Sequence, residues 1–180
     1  MLMSDSHPHH QALAPSAWVL RWAPLVPRGG PVLDIACGGG RHARYFAGRG
    51  HTVDAVDRDA AALSGLEGAA GVRPLCADIE SGPWPYAGRT YAGVVVTNYL
   101  HRPLLPLLVD AVGAGGVLLY ETFAAGNGRY GRPANPAFLL EPGELLEVVR
   151  GRLRVVGYED IYAAEPRPAM VQRICAVRSD

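Results

Sequence analysis

The chain has 180 residues, enough to bury a real core in one domain and short for two. Hydrophobic residues make up 49% and charged residues 19%, the mix expected of a globular protein in water. Formal net charge is zero and the 17 basic side chains are scattered, which argues against a nucleic-acid backbone or an anionic membrane as partner.

Every basic residue is arginine, so Schiff-base chemistry and a lysine general base are excluded. Cys37, Cys76 and Cys175 lie far apart, with no C-x-x-C pair and an odd count, so neither a disulfide nor a zinc site is expected and no metal site is assigned. The first residues lack the basic-then-apolar profile of a secretory signal, and a reducing cytoplasm is the expected setting. The longest apolar stretch, Leu104 to Tyr120, is interrupted by Pro106, Asp110 and the run Gly113 to Gly116, too broken to span a bilayer.

Residues 1–14 are polar and proline-punctuated and read as a mobile tail in which His7, His9 and His10 are solvated; residues 15–180 read as one domain. A helix is expected from Pro15, capped by Ser16, with Trp18 and Trp22 sharing a face at i, i+4. Val32–Ala36 is a short buried strand, followed by a glycine loop and a helix over Arg41–Arg49. His51–Asp57 makes a second strand, and Asp59 caps a helix reaching Glu67. Val72–Cys76 is a third strand, placed at a sheet edge by Pro74, which lacks the donor that a central strand needs. Gly93–Thr97 is a continuous apolar run, as in a central parallel strand covered on both faces. Helices follow over Pro103–Val112 and Glu144–Arg150, with a fifth strand at Val117–Phe123 between them. Leu153–Tyr162 and Met170–Arg178 are joined too closely for a crossover helix, so they form an antiparallel hairpin. The fold class is therefore α/β, a doubly wound and mostly parallel sheet with helices on both faces and one reversed strand.

In such sheets ligands bind at the carboxyl ends of the strands, where the loop Ala36–Gly40 lies. Glycines admit close backbone approach, and the helix N-terminus behind them offers free N–H groups. Asp57 ends the neighbouring strand, where a carboxylate can accept both hydroxyls of a ribose. Gly38-x-Gly40-x-x-Ala43 also fits a dinucleotide fingerprint, so NAD stands as a rival cofactor. Against it, Asp34 would set a carboxylate beside a pyrophosphate, and the closing hairpin is not the usual second half of a dinucleotide fold.

The ordered blocks VLDIACGGGRHA, AVDRD, CADIE, GVVVTNYLHR and GGVLLYETF resemble the motif series of class I S-adenosylmethionine-dependent methyltransferases, from about residue 30 to the end. Within that superfamily the chain is similar to small bacterial enzymes of the tellurite-resistance and thiopurine type. One departure is Ala36, where the family's first glycine stands. The resemblance implies a seven-stranded sheet of order 3-2-1-4-5-7-6 and S-adenosylmethionine as methyl donor. It implies that Asp34, Ala36, Gly38 and Gly40 hold the methionine portion, with Arg41 either pairing with its carboxylate or lying on the surface. Asp57 would take the ribose hydroxyls, Arg58 would flank the adenine, and Asp78 and Ile79 would bind it. Thr97, Asn98 and Tyr99 would lie under the sulfonium.

Methyl transfer is an in-line displacement that positioning and desolvation can largely drive, so a base is optional. His101 and Tyr99 are the acid/base candidates after the fourth strand, and Glu121 is a carboxylate on an otherwise apolar strand that can face the acceptor. Tyr130 and Arg132, in the Gly- and Pro-rich segment 124–136, belong to a substrate lid or to an ordinary surface loop. Thr97-Asn98-Tyr99-Leu100 lacks the two prolines found in many nucleic-acid amino-methyltransferases, which points to a small acceptor. Two other classes stay open: an NAD-dependent oxidoreductase, and a cofactor-binding regulatory module without catalysis.

Overall fold

The computed structural model describes residues 14–180, and the expected histidine-bearing tail lies outside the described residues but for Ala14. Seven strands form one sheet: β1 (Val32–Ile35), β2 (Val53–Asp57), β3 (Val72–Cys76), β4 (Tyr91–Thr97), β5 (Val112–Phe123), β6 (Arg154–Ala163) and β7 (Ala169–Val177). Their spatial order is β3-β2-β1-β4-β5-β7-β6, as the motif series implies. β1 to β5 are mutually parallel, while β7 runs antiparallel to both β5 and β6.

Side-chain alternation along the central strands divides the core in two. Leu33, Ile35, Val94, Val96, Leu118 and Tyr120 face one layer, which α4 (Leu105–Asp110) and α5 (Glu144–Val149) cover. Val32, Val53, Val95, Val117 and Leu119 face the other, under α1 (Ala17–Trp22) and α2 (Arg41–Ala47). β1 is buried along its whole length, so its run reads apolar except for Asp34. β3 pairs only with β2 and is mostly exposed, so Pro74 removes no donor from the sheet interior.

The helices are short and start where local chemistry dictates. Ser16 Oγ accepts from the Trp18 and Val19 N–H groups at 3.1 and 3.4 Å, opening α1, and Trp18 and Trp22 meet edge-to-face at 5.7 Å. Asp59 caps α3 (Ala60–Leu63) by accepting from Ala61 N–H at 2.9 Å. Several boundaries differ from the sequence expectation, and the helix capped by Asp59 ends at Leu63, passing into a 3-10 turn over Ser64–Leu66 short of Glu67. The helix expected from Pro103 begins as a 3-10 turn over Arg102–Leu104 and ends at Asp110, because Pro103 and Pro106 leave few N–H donors for a regular start. β5 starts at Val112, five residues early, because a bulge absorbs the glycines: Tyr91 pairs with Val112 and Gly93 with Val117. At Gly116 a Cβ would lie 2.7 Å from the Tyr91 carbonyl, so this bulge requires glycine there.

Among the described residues, no helix is long and apolar enough to cross a membrane.

Candidate functional site

At the carboxyl ends of β1, β2 and β4 lies a cleft of about 470 Å³. Ala36 brings the loop after β1 to its floor; in that loop Ala36, Gly38 and Gly40 all take left-handed backbone (φ 50°, 53° and 74°), with Gly38 and Gly40 outside the lining. A Cβ at Gly38 or Gly39 would meet nothing within 4 Å, so this part of the loop opens onto free space. Gly40 has a different reason to be glycine: a Cβ there would collide with the Leu66 side chain at 2.4 Å. Asp57 ties the floor to β2, its Oδ2 accepting from the Gly38 N–H at 2.7 Å and its Oδ1 from the Asp59 N–H at 2.9 Å. With two of about four lone-pair positions used, the carboxylate can still accept from a ligand.

One wall carries Arg58, Asp78, Ile79 and Glu80; another carries Asn98, Tyr99 and Leu100. Asp78 organises its own turn, accepting from Glu80 N–H at 2.9 Å and from the Ser81 hydroxyl at 2.6 Å, which holds its carboxyl below the usual carboxylate range. Asn98 is a second non-glycine residue in left-handed backbone (φ 55°), held by its N–H donating to the Glu121 carbonyl at 2.9 Å. The Tyr99 hydroxyl is buried and faces the Glu80 carboxylate, and burial, followed by the charge of Glu80 and hydrogen bonding to it, raises it above the normal phenol range. Its carbonyl accepts from the Tyr120 hydroxyl at 2.9 Å, which fixes the turn.

Thr122 and Phe123 from β5, with Pro133 and Phe138 from the connection to α5, complete the lining. That connection is anchored at two points. Arg102 grips Glu144 with two hydrogen bonds (2.8 and 2.9 Å) and donates to the carbonyls of Ala137 (2.9 Å) and Leu139 (2.8 Å). Asn127, buried, donates to the Pro133 carbonyl at 2.9 Å and accepts from Met170 N–H at 3.1 Å. Tyr130 and Arg132 do not line the cleft; Tyr130 is exposed and packs on Tyr162 with ring centroids 5.0 Å apart.

Several other candidates lie off the cleft. Asp34 and Thr97 share the opposite sheet face with His42. Asp34 accepts from the Ala43 N–H at 3.0 Å, capping α2 from below, and its carboxyl is raised to about 7, chiefly by burial. His42 accepts from Ser16 N–H at 3.1 Å and lies 3.5 Å from Thr97 Oγ1; burial, then the charge of Arg41, lowers it to about 3. Arg41 itself reaches the Ala14 carbonyl at 3.4 Å. Glu121, expected toward the acceptor, lies outside the cleft lining. It forms an ion pair with Arg173 (2.5 Å) that lacks hydrogen-bond alignment. His101 stands outside the lining, its Nδ1 3.9 Å from Glu80 Oε2.

Sequence reasoning missed Glu80, Leu100, Thr122, Phe123, Pro133 and Phe138. Glu80 and Leu100 had a local signal, since they follow Asp78–Ile79 and Tyr99 after strand ends, and Thr122 and Phe123 end β5; Pro133 and Phe138 depend on how the 124–140 segment folds back. Burial and the carboxylates of Asp34 and Asp57 raise the Cys37 thiol, which leaves it protonated and unreactive. Among the described residues no group of His, Cys, Asp or Glu is arranged to hold a metal ion.

The family model described as "Methyltransferase domain" matches residues 32–112, from β1 to the start of β5. No curated protein matches the chain. Among solved structures the chain is similar to TehB from Haemophilus influenzae, with a TM-score of 0.71 and 18% identity, over 91% of this chain and 61% of that one. It therefore spans less than two thirds of that protein's length. A TehB-like methyltransferase from Corynebacterium glutamicum matches with a TM-score of 0.64 and 19% identity, over 90% of this chain and 87% of that one. The 1,6-didemethyltoxoflavin-N1-methyltransferase of Burkholderia thailandensis matches with a TM-score of 0.64 and 20% identity, over 91% and 77%. At these identities the likeness is one of fold. Residues 32–112 thus match a methyltransferase-domain model, and the fold is that of S-adenosylmethionine-dependent methyltransferases.

Proposed function

We propose that the chain binds S-adenosylmethionine in the cleft above β1, β2 and β4 and transfers its methyl group to a small-molecule acceptor in the cytoplasm. The observation that carries this reading is the Asp57 carboxylate, held against the Gly38 N–H at the cleft floor with acceptor capacity left over. The group fits the residues present. A volume of about 470 Å³ lies within the range of small-molecule sites. Gly38 and Gly39 face open space where ligand backbone contact needs it, and Asp57 can accept from ribose hydroxyls.

In this reading Arg58 and Ile79 flank the adenine, Asp78 accepts from its amino group, and the loop from Ala36 to Gly39 holds the methionine portion. Asp34 acts from beneath that loop through α2, while Asn98 and Tyr99 shape the end of the cleft nearest β4. When bound, S-adenosylmethionine supplies an electrophilic methyl group on a sulfonium. The chain contributes orientation and water exclusion, the latter through Leu100, Phe123, Pro133 and Phe138. The Burkholderia structure holds 1,6-didemethyltoxoflavin together with S-adenosylhomocysteine, which favours a small-molecule acceptor here.

Titration calorimetry tests the donor. S-adenosylhomocysteine is expected to bind at one site per chain and NADH not to bind. Binding of NADH alone would replace this reading with an oxidoreductase.

A further inference from the structure

A second concavity, of about 420 Å³, is lined by Ala23, Pro24, Val26, Arg28, Arg49 and His51. Arg49 and His51 precede β2, and Val26 and Arg28 precede β1, so this pocket lies at the end of the sheet opposite the cleft and shares no residue with it. Its volume falls within the range of small-molecule sites. The lining holds two guanidinium cations and no carboxylate. Neither guanidinium has an ion pair or a hydrogen bond among the described residues, and that of Arg49 lies 5.1 Å from the centre of the Tyr45 ring. His51 is only 7% exposed, and its ring is held in two ways. It meets Phe46 edge-to-face at 5.5 Å, and its Nδ1 lies 2.9 Å from the Gly30 carbonyl oxygen. A carbonyl only accepts, so Nδ1 carries the ring proton and Nε2 keeps its lone pair. Nε2 has no partner among the described residues, which makes it the buried ring's free atom toward a ligand in the pocket.

We propose that this pocket binds the phosphate group of a small phosphate monoester: Arg28 and Arg49 donate to its oxygens, His51 Nε2 pairs with its P–O–H, and its carbon frame rests on Ala23, Pro24 and Val26. The site is separate from the methyl-donor reading and stands without it. Guanidinium donors match phosphate oxygens in both charge and spacing. The histidine narrows the choice of anion. As an acceptor, Nε2 asks for a ligand hydroxyl, and a monoester, whose second ionisation falls at about pH 6, still carries one in part of its population near neutrality. In the fully ionised ester the hydrogen bond runs the other way, from a protonated Nε2 to oxygen, so one shared proton joins the pair in either case. Sulfate, carboxylates and phosphodiesters bring no such proton and meet the lone pair of Nε2 with one of their own. That selects against a nucleic-acid backbone as well, since its phosphates are diesters.

The experiment titrates the full chain with phenyl phosphate, inorganic phosphate, dimethyl phosphate, sulfate and benzoate, followed by 1H–15N NMR at constant ionic strength so that screening is equal throughout. Saturable shifts are expected at Arg28, Arg49 and His51, with the Gly38 and Asp57 signals unmoved. Phenyl phosphate should bind more tightly than inorganic phosphate, because its ring covers the apolar strip. It should exceed sulfate, dimethyl phosphate and benzoate by about fivefold or more, the worth of one hydrogen bond. Arg28→Gln and Arg49→Gln should each weaken phenyl phosphate about 10-fold, the lower end for a hydrogen bond to a charged group, with melting temperature unchanged because both side chains are exposed and unpaired. Shifts confined to the Gly38–Arg41 loop would overturn the proposal, because the anion would then prefer the cleft. Equal affinity for sulfate and phenyl phosphate, or wild-type affinity in both arginine variants, would overturn it too. None of these readouts uses S-adenosylhomocysteine, so their failure is distinct from failure of the methyl-donor reading.

Discussion

The carboxylate of Asp57 accepts a 2.7 Å hydrogen bond from the backbone N–H of Gly38, 19 residues earlier in the chain. This bond joins the ends of β1 and β2 and sets the shape of the cleft floor before any ligand arrives. Asp57→Asn can keep the bond to Gly38 through its amide oxygen but loses the one to Asp59 and the charge offered to a ribose. We expect S-adenosylhomocysteine affinity to fall about 10- to 100-fold by calorimetry, with a smaller loss of stability, about 1 kcal/mol, by thermal unfolding. Equal losses in affinity and melting temperature would assign Asp57 to the loop alone.

Asp34 and His42 lie buried near each other with opposite proton linkage. Asp34 is raised from 3.8 to about 7, so its contribution is full below pH 4 and declines as pH rises toward 7. His42 is lowered from 6.5 to about 3, so its contribution is full above pH 6.5 and declines on acidification. Between about pH 4 and 6.5 the two slopes, about 1.4 kcal/mol per pH unit each, cancel. Denaturant titrations of Asp34→Asn should show stability falling more steeply on acidification than wild type. His42→Gln should show it falling as pH rises through the same window.

Ala36 adopts φ 50°, a conformation costing a non-glycine residue about 1–2 kcal/mol. Ala36→Gly relieves that cost at some loss of chain entropy, for a net gain of about 1 kcal/mol in urea unfolding. An unchanged or lower midpoint would show that the alanine is unstrained.

Arg102 fastens the Pro133–Phe138 wall through the carbonyls of Ala137 and Leu139 and through Glu144. Arg102→Ala should speed amide hydrogen exchange across 137–144 and cost about 1–2 kcal/mol, leaving exchange in β1 and β2 unchanged. Unaltered exchange in 137–144 would mean that Asn127 suffices as anchor.

The fold was legible because its signals are local or topological. Asp34-to-Gly40 follows an apolar strand, Pro74 marks an edge, and the short gap between Tyr162 and Met170 forces an antiparallel pair. The early start of β5 was hidden because Gly113–Gly116 reads as a loop, and only its pairing partner Tyr91 turns it into a bulge. The cleft was legible where residues follow strand ends, as with Asp57, Asp78 and Asn98. Its far wall was not, because Pro133 and Phe138 reach it only through the anchors Asn127 and Arg102, contacts between side chains and a loop read as surface. Gly40 shows the converse: a glycine read as a ligand contact is required by Leu66 packing behind it.

The central claim, that the cleft above Gly38 and Asp57 is a methyl-donor site, is tested most directly by a crystal structure with S-adenosylhomocysteine. The account predicts ribose hydroxyls hydrogen-bonded to Asp57 and adenine seated between Arg58 and Ile79. A ligand lodged elsewhere, or a ribose bound without Asp57, would contradict it.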